Sequence, residues 1–295
     1  MRTNRLIKSQ CRFASFRFSC GKSSLTKPHY SYTDRCKQLK TKSRMKRKNI
    51  FYGIIIGLIS ITSCSESDES ENQNSNSNLV TDIDGNSYNT VEIGTQIWTK
   101  ENLNVSKYRN GDPILQVAST TEWNGLTTGA WCYYKNEESN GETYGKLYNW
   151  YAINDPRGIA PEGWHIPSNN EWILLKDFLI SNGFNFDETT TGNKIAKSLA
   201  SKNLWAQNRG QADLDGINPQ EGDIGFGLFR NNTSDFTALP GNKRGGIGSN
   251  GNWWSSTSTS NFDAVGYRLE YNSSSLILLD SESKRSGFSI RLVKN

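Results

Sequence analysis

Between residues 80 and 153, apolar and polar positions alternate in short runs that predict β-strands separated by turns. Residues 80–98, VTDIDGNSYNTVEIGTQIW, contain two such runs on either side of Asp84-Gly85, a dipeptide typical of tight hairpins. Residues 129–134, GAWCYY, predict another strand. Residues 146–153, KLYNWYAI, instead carry aromatic and aliphatic side chains at helical spacing, so we expect a helix there.

The clearest helix pattern follows WHIPS at residues 164–168. Ser168 and Glu171 have the spacing of a capping box, in which the two residues satisfy each other's exposed backbone amides. Asn182-Gly183 supplies the stop. The apolar face of this helix consists of Trp172, Leu175 and Leu179. A second short helix is predicted within residues 194–200, KIAKSLA.

After Gly-, Asn- and Asp-rich stretches that predict long loops up to about Gly251, the pattern returns to strands. The predicted strands are NWWSS, AVGYRLEY, SLILLD and GFSIRLV, the last with Phe288, Ile290 and Leu292 alternating. Strands, helices, loops and strands in this order predict an α+β domain, with mixed antiparallel strands and two or three helices.

A separate apolar run, FYGIIIGLISI at residues 51–61, precedes the domain and is too short to span a bilayer. The basic cluster MKRK comes before it, and Thr62-Ser63-Cys64 follows it. This combination resembles the signal peptide and lipobox of bacterial lipoproteins. The resemblance implies a signal peptide at residues 45–63, cleavage before Cys64 and diacylation of Cys64, which anchors the protein to a membrane. The alternative, a buried core helix, is disfavoured because nothing apolar follows for many residues.

Residues 1–44 lie before the expected start of the signal peptide. Because Met45 is the only methionine besides Met1, we expect the true start at Met45. Residues 1–44 are then a mis-annotated upstream extension without ordered structure. A basic arm that binds nucleic acid is the alternative, but it would stay on the wrong side of the membrane.

Loss of residues 1–63 reverses the net charge. The full sequence has 34 basic and 29 acidic residues, a net charge of +5. Residues 1–63 hold 15 basic residues and one acidic residue, so the rest has 19 basic and 28 acidic residues, a net charge of −9. This charge argues against a partner nucleic acid, which requires a basic face.

Residues 64–79 comprise the lipidated cysteine and an acidic, Ser/Asn-rich linker, because SESDESENQNSNSN contains no apolar residue. Its acidic start resembles the export signal that sends some Bacteroidetes-type lipoproteins to the outer face of the outer membrane. We therefore expect an outer membrane lipoprotein exposed at the cell surface. Residues 80–295 form the folded domain, in which Cys132 is the only cysteine and no internal disulfide is possible.

Six motifs in this domain carry a family resemblance. They are IGTQIWTKENLNVSKYRNGDPI, YGKLYNWYAI, PEGWHIPSNNEW, FTALPGNKRG, NWWSST and GFSIRLVKN. Their order resembles the Fibrobacter succinogenes major paralogous domain, which implies a C-type lectin-like fold similar to that of the formylglycine-generating, sulfatase-modifying enzymes. The family pattern has a cysteine where this chain has Leu292. The resemblance therefore implies that Cys132 is a buried thiol instead of half of a disulfide.

The residue inventory disfavours an enzyme. Formylglycine-generating chemistry needs paired thiolates, and the domain offers one cysteine. A Ser-His-Asp site or a zinc site would depend on His165, which lies beside the helix cap and is expected to hydrogen-bond nearby backbone. Calcium binding stays open, because acidic residues crowd one loop and calcium prefers oxygen ligands; a solvated acidic loop is the alternative. The candidate calcium ligands are Asp213, Asp215, Glu221 and Asp223.

Aromatic residues raise the question of ligand binding, because their faces match the apolar faces of sugar rings. The residues considered for stacking are Trp131, Tyr133, Tyr134, Trp150, Trp253 and Trp254. We expect most of them to lie in the core, because large side chains bury much area. Trp253 and Trp254 are adjacent in a strand and must point to opposite faces, so we expect one of them to be more exposed. They are the candidate ligand platform, together with Trp131. The sequence therefore predicts a surface-anchored binding domain for a glycan or an extracellular protein. The alternative is a structural or adhesion subunit without a ligand of its own.

Overall fold

The computed structural model describes residues 79–207, 220–241 and 248–295. The predicted upstream extension and signal peptide, with Cys64 and its linker up to residue 78, lie outside these residues. Antiparallel pairing dominates, and the helices are short except for one. The domain is therefore of mixed α+β class, as the sequence predicts. No helix within the described ranges combines the length and the apolar character needed to cross a membrane.

The N-terminal half contains six strands and three short helices in the described residues. The strands are β1 (Leu79–Thr81), β2 (Ser87–Ile93), β3 (Gln96–Thr99), β4 (Leu115–Gln116), β5 (Ala130–Tyr133) and β6 (Lys146–Tyr148). The helices are α1 (Thr120–Gly125), α2 (Gly141–Tyr144) and α3 (Trp150–Ile153).

The C-terminal half contains two helices and five strands in the described residues. They are β7 (Trp164–His165), α4 (Asn169–Ser181), α5 (Ala196–Leu199), β8 (Asn250–Ser258), β9 (Asp263–Glu270), β10 (Ile277–Ser283) and β11 (Val293–Lys294). The described residues between α5 and β8 are mostly irregular apart from a 3-10 turn at Leu228–Arg230, as the predicted long loops require.

The strands form three sheets in the described part of the chain. The largest has the order β1-β2-β3-β11-β7, so strands from both ends of the domain share it. A second sheet has the order β10-β9-β8, and a third, β4-β5-β6, includes one parallel pair. The hairpin predicted at Asp84-Gly85 is present. Asp82 shapes its turn by accepting hydrogen bonds from the backbone amides of Asp84 and Asn86.

The predicted capping box begins α4 as expected. The Ser168 hydroxyl accepts from the Glu171 amide, and the Glu171 carboxylate accepts from the Ser168 amide at 2.7 Å. The apolar face of α4 packs into the first of three apolar clusters. There Trp172 lies 4.9 Å from the Trp98 ring and stacks on Tyr267 at 4.8 Å, centroid to centroid.

Two predicted elements differ from the structure. The expected helix at residues 146–153 is strand β6 followed by the single turn α3. Asn149 divides them, because its Oδ1 accepts hydrogen bonds from the amides of Ala130 and Ala152 and so starts a new helical turn. The predicted strand GFSIRLV is regular only at β11. Before it, the chain makes single bridges from Phe288 to Tyr148 and from Ser289 to Trp253.

Arg291 joins several of these elements from a fully buried position, with 0% of its surface exposed. Its guanidinium donates to Asn102 Oδ1 at 2.7 Å and to the carbonyls of Thr99, Phe236 and Thr237 at 2.8, 2.8 and 3.0 Å. It also lies 4.7 Å from the ring centre of Phe236. Burial lowers the pKa of Arg291 to about 9, so the group is still a cation at neutral pH. These contacts hold the β3 region and the residue 236–237 loop to the segment before β11.

Candidate functional site

The predicted tryptophan platform is not at the surface. Trp253 and Trp254 point to opposite faces of β8, but they are 1% and 0% exposed. Trp253 packs in the first apolar cluster, whereas Trp254 packs in a second one, 4.4 Å from the Phe288 ring. The prediction that one of them is more exposed is wrong, because strand β8 separates two cores and has no solvent face at this point.

Trp131 is also buried, so it cannot offer a ring face to a ligand. Its indole N–H donates to the Ile114 carbonyl at 3.0 Å. The Lys146 ammonium lies 4.7 Å from its ring centre, and the Tyr133 ring packs edge-on at 5.0 Å. Trp131 therefore belongs to the core and packs against Tyr133 and Lys146.

Half of the candidate calcium ligands can be placed. Asp213 and Asp215 lie outside the described residues. Glu221 pairs with Arg230 at 3.1 Å, and Asp223 accepts from the Gln220 amide at 2.6 Å. Within residues 79–207, 220–241 and 248–295, no group of three acidic, histidine or cysteine side chains is arranged to hold a metal. Calcium binding by this loop stays a prediction.

His165 has a structural setting, but its partners differ from the predicted backbone groups. Its Nε2 lies 2.6 Å from the Glu171 carboxylate of the capping box, and its Nδ1 lies 2.7 Å from Asn295 Oδ1. Burial raises the pKa of Glu171, but hydrogen bonds from Ser168 and His165 outweigh it and hold that pKa below its usual value. The carboxylate therefore stays charged and ties β7 to the start of α4. Cys132 is a buried thiol, 1% exposed.

A cavity of about 280 Å³ lies beside α5. Lys197 lines it, but the ammonium already donates to the carbonyls of Asp223 and Phe226. Burial, aided by the positive charge of Arg230, lowers the pKa of Lys197 to about 8. At the rim, Arg230 is neutralised by Glu221. The two cations that line this cavity, Lys197 and Arg230, therefore already have partners within the protein.

A second depression, which we call the Tyr133 groove, is better suited to a ligand. It encloses about 170 Å³. Its lining residues are Thr120, Trp123, Asn124, Tyr133, Lys135, Asn136, Arg285, Ser286, Gly287 and Phe288. The rings of Trp123 and Phe288 are buried, and the amides, hydroxyls and cations surround them. An apolar base with convergent polar groups is the usual composition of a small-ligand site.

Tyr133 reaches the groove because it ends β5, where the alternation of the strand turns its ring out of the core. The ring is half-buried, and Gly141 packs directly on it: a Cβ at this glycine would lie 2.6 Å from Tyr133 Cε1. The Lys146 ammonium lies 5.5 Å from the ring centre. Burial and the Glu138 carboxylate raise the pKa of Tyr133, so its hydroxyl remains protonated at neutral pH. The ring is therefore held in place with part of its surface accessible.

The backbone beside the ring is strained. Lys135 and Asn136 both have a φ of 56°, in the left-handed region that side-chain-bearing residues seldom adopt. Such residues cost on the order of 1–3 kcal/mol each and cluster at functional sites. The Asn136 amide donates to the Ala118 carbonyl at 3.0 Å, which fixes the turn against the segment before α1. Both residues line the groove.

Tyr133 is one of several aromatic residues considered for stacking, and nothing in the sequence pattern singles it out. Of the other aromatics considered for stacking, all are buried: Trp131, Tyr134, Trp150, Trp253 and Trp254. The available signal was position, because Tyr133 lies near the end of the predicted strand and, after Tyr134, the residues up to Asn140 are charged or polar.

Comparison with known families gives one match. The sequence model of the Fibrobacter succinogenes major domain matches residues 91–294. It describes a domain of unknown function, so no enzymatic family is indicated. No characterised protein and no solved structure matches the chain.

Proposed function

This chain belongs to the Fibrobacter succinogenes major domain family, and from that premise we propose that it is a surface lipoprotein whose domain binds a glycan in the Tyr133 groove. Cys64 carries the lipid, and the acidic linker holds the domain away from the outer membrane. The proposal for the anchor is supported by the basic, apolar and Thr-Ser-Cys segments of residues 45–64.

A C-type lectin-like fold is part of the same proposal. The motif resemblance supports it, and so does the pairing of β3 with β11, which joins early and late strands in one sheet. The mostly irregular conformation of the described residues between α5 and β8 also supports it.

The observation that carries the binding proposal is the half-buried Tyr133 ring beside two polar residues at positive φ, Lys135 and Asn136. An aromatic face can stack on the apolar face of a sugar, while the amides of Asn124 and Asn136 can bind its hydroxyls.

The test is titration of the protein with a panel of polysaccharides, followed by tryptophan fluorescence because Trp123 lines the groove. Tyr133→Leu keeps apolar contact with Trp131 but removes the aromatic face. We expect it to weaken binding by about fivefold, since aromatic stacking is worth about 1 kcal/mol. Tyr151→Leu is the matched control, because Tyr151 is also half-buried but does not line the groove. Equal affinity of the wild type and the Tyr133 variant would exclude the groove as the site.

A structural or adhesion subunit is the second candidate. Phe229 and Phe262 are the candidate contacts for it, because at 76% and 73% they are the most exposed large apolar side chains of the described residues. This function predicts a co-purifying partner, lost on substitution of Phe229 or Phe262 by serine, and no response to any polysaccharide.

A further inference from the structure

The charges around the Tyr133 groove point to one class of glycan. Its lining contains two cationic side chains, Lys135 and Arg285, and no carboxylate. Both are exposed. The chain after residue 63 has a net charge of −9, so the charge of this lining is opposite in sign to the net charge of that part of the chain.

Lys135 and Arg285 are exposed and have no ion pair within the described residues, a property they share with Arg109, Lys202 and Lys294. Other exposed cations do pair with carboxylates, namely Lys107, Arg157 and Arg230. The groove brings two unpaired cations into one lining. An unneutralised charge at the rim is available to a ligand.

Arg285 is also oriented for such a contact. Its Nε donates to the Leu126 carbonyl at 3.0 Å, and its own carbonyl accepts the indole N–H of Trp123 at 2.5 Å. These bonds fix the stem of the residue and leave both terminal nitrogens of the guanidinium without a partner among the described residues. A guanidinium held in this way can bind a carboxylate or sulfate through two parallel hydrogen bonds.

Four carboxylates flank the groove without lining it, those of Glu122, Glu137, Glu138 and Glu282, and none of them forms an ion pair with Lys135 or Arg285 within the described residues. Glu282 accepts from the Ser286 hydroxyl at 3.4 Å, but it faces Arg268 at 3.7 Å. The Glu138 carboxylate raises the pKa of Tyr133 but does not line the groove. The buried ammonium of Lys146 lies 5.5 Å from the centre of the Tyr133 ring. Because walls of low dielectric focus the field of unpaired charges, the groove favours anions.

We infer that the Tyr133 groove selects acidic glycans, whose carboxylate or sulfate groups bind Lys135 and Arg285 while a sugar ring stacks on Tyr133. This inference rests on the proposed glycan binding and adds the class of polymer.

The experiment compares polygalacturonate with its fully methyl-esterified form, which has the same backbone without the charge. Chondroitin sulfate provides the sulfated arm, and dextran the neutral reference. We expect the protein to bind polygalacturonate or chondroitin sulfate at least about tenfold more tightly than the esterified polymer, and added salt to reduce that difference.

The double variant Lys135→Gln/Arg285→Gln should lose this preference and keep the weaker affinity for the esterified polymer. Arg230→Gln is the matched control, because Arg230 is exposed and lies outside the groove. A circular dichroism spectrum checks that each variant is folded.

The outcomes separate the two proposals. Binding of charged and esterified polymers with equal affinity, still sensitive to Tyr133→Leu, overturns the acidic preference but keeps glycan binding. An equal loss in Arg230→Gln shows non-specific attraction and also overturns it. No binding of any polymer, charged or neutral, refutes the proposed function itself.

Discussion

Substitution of Arg291 by methionine tests how much one buried cation contributes to the stability of the domain. The change keeps an unbranched apolar stem but removes every donor of the guanidinium. Three backbone carbonyls, those of Thr99, Phe236 and Thr237, then lose a hydrogen bond inside the core. Asn102 Oδ1 retains only the bond from the Trp253 indole, at 2.9 Å.

The magnitude follows from these acceptors. An acceptor left unsatisfied in the interior costs about 1–3 kcal/mol, and relief of the desolvation of the cation offsets part of the sum. We expect Arg291→Met to lower the free energy of unfolding by about 3–5 kcal/mol, a large share of the roughly 5–15 kcal/mol typical of a domain.

Urea denaturation at pH 7, followed by tryptophan fluorescence, measures the change. Arg230→Met is the control. Its guanidinium is exposed and pairs with an exposed carboxylate, so its loss should cost no more than about 1 kcal/mol. If Arg291→Met and Arg230→Met are equally stable, the buried network is not a stabilising unit and the reasoning fails.

Three further predictions follow from other buried positions. Gly145→Ala should destabilise the domain by about 3 kcal/mol in urea denaturation, because φ is +70° there and a Cβ would lie 2.7 Å from the Leu103 carbonyl; a change below about 0.5 kcal/mol would contradict the close approach. Because the pKa of Lys197 is lowered to about 8, the folded state holds fewer protons than the unfolded chain between pH 8 and pH 10.5. Stability of the wild type relative to Lys197→Met should therefore rise by about 2 kcal/mol from pH 8 to pH 10.5, and a fall over that range would refute the sign. Cys132 should react with a thiol reagent only as fast as the domain opens, so rapid labelling of the native protein would disprove its burial.

Elements that depend only on neighbouring residues could be predicted from the sequence. The capping box at Ser168 and Glu171 and the turn at Asp84-Gly85 depend on residues within a few positions of each other, and both are present in the structure. The apolar face of α4 follows from its period alone. The α+β class follows from the order of such elements.

The errors concern burial, which depends on distant residues. Alternation along β8 correctly places Trp253 and Trp254 on opposite faces, but it cannot show that a second core covers the other face. The burial of Arg291 could not be predicted for the same reason, because its acceptors belong to β3 and to the residue 236–237 loop, which are far away in sequence. The Tyr133 groove was missed because it is built from three separate segments, around Trp123, Tyr133 and Arg285.

The distance along the chain between Arg291 and its partners affects how the polypeptide matures. Arg291 and Asn102 are 189 positions apart, and the amide of Leu103 donates to the Ile290 carbonyl over a similar separation. An emerging polypeptide that lacks residues 288–293 has no means of closing its central sheet. The domain is therefore incomplete until its last segments have been made, and its slow, non-local closure comes at the end of synthesis.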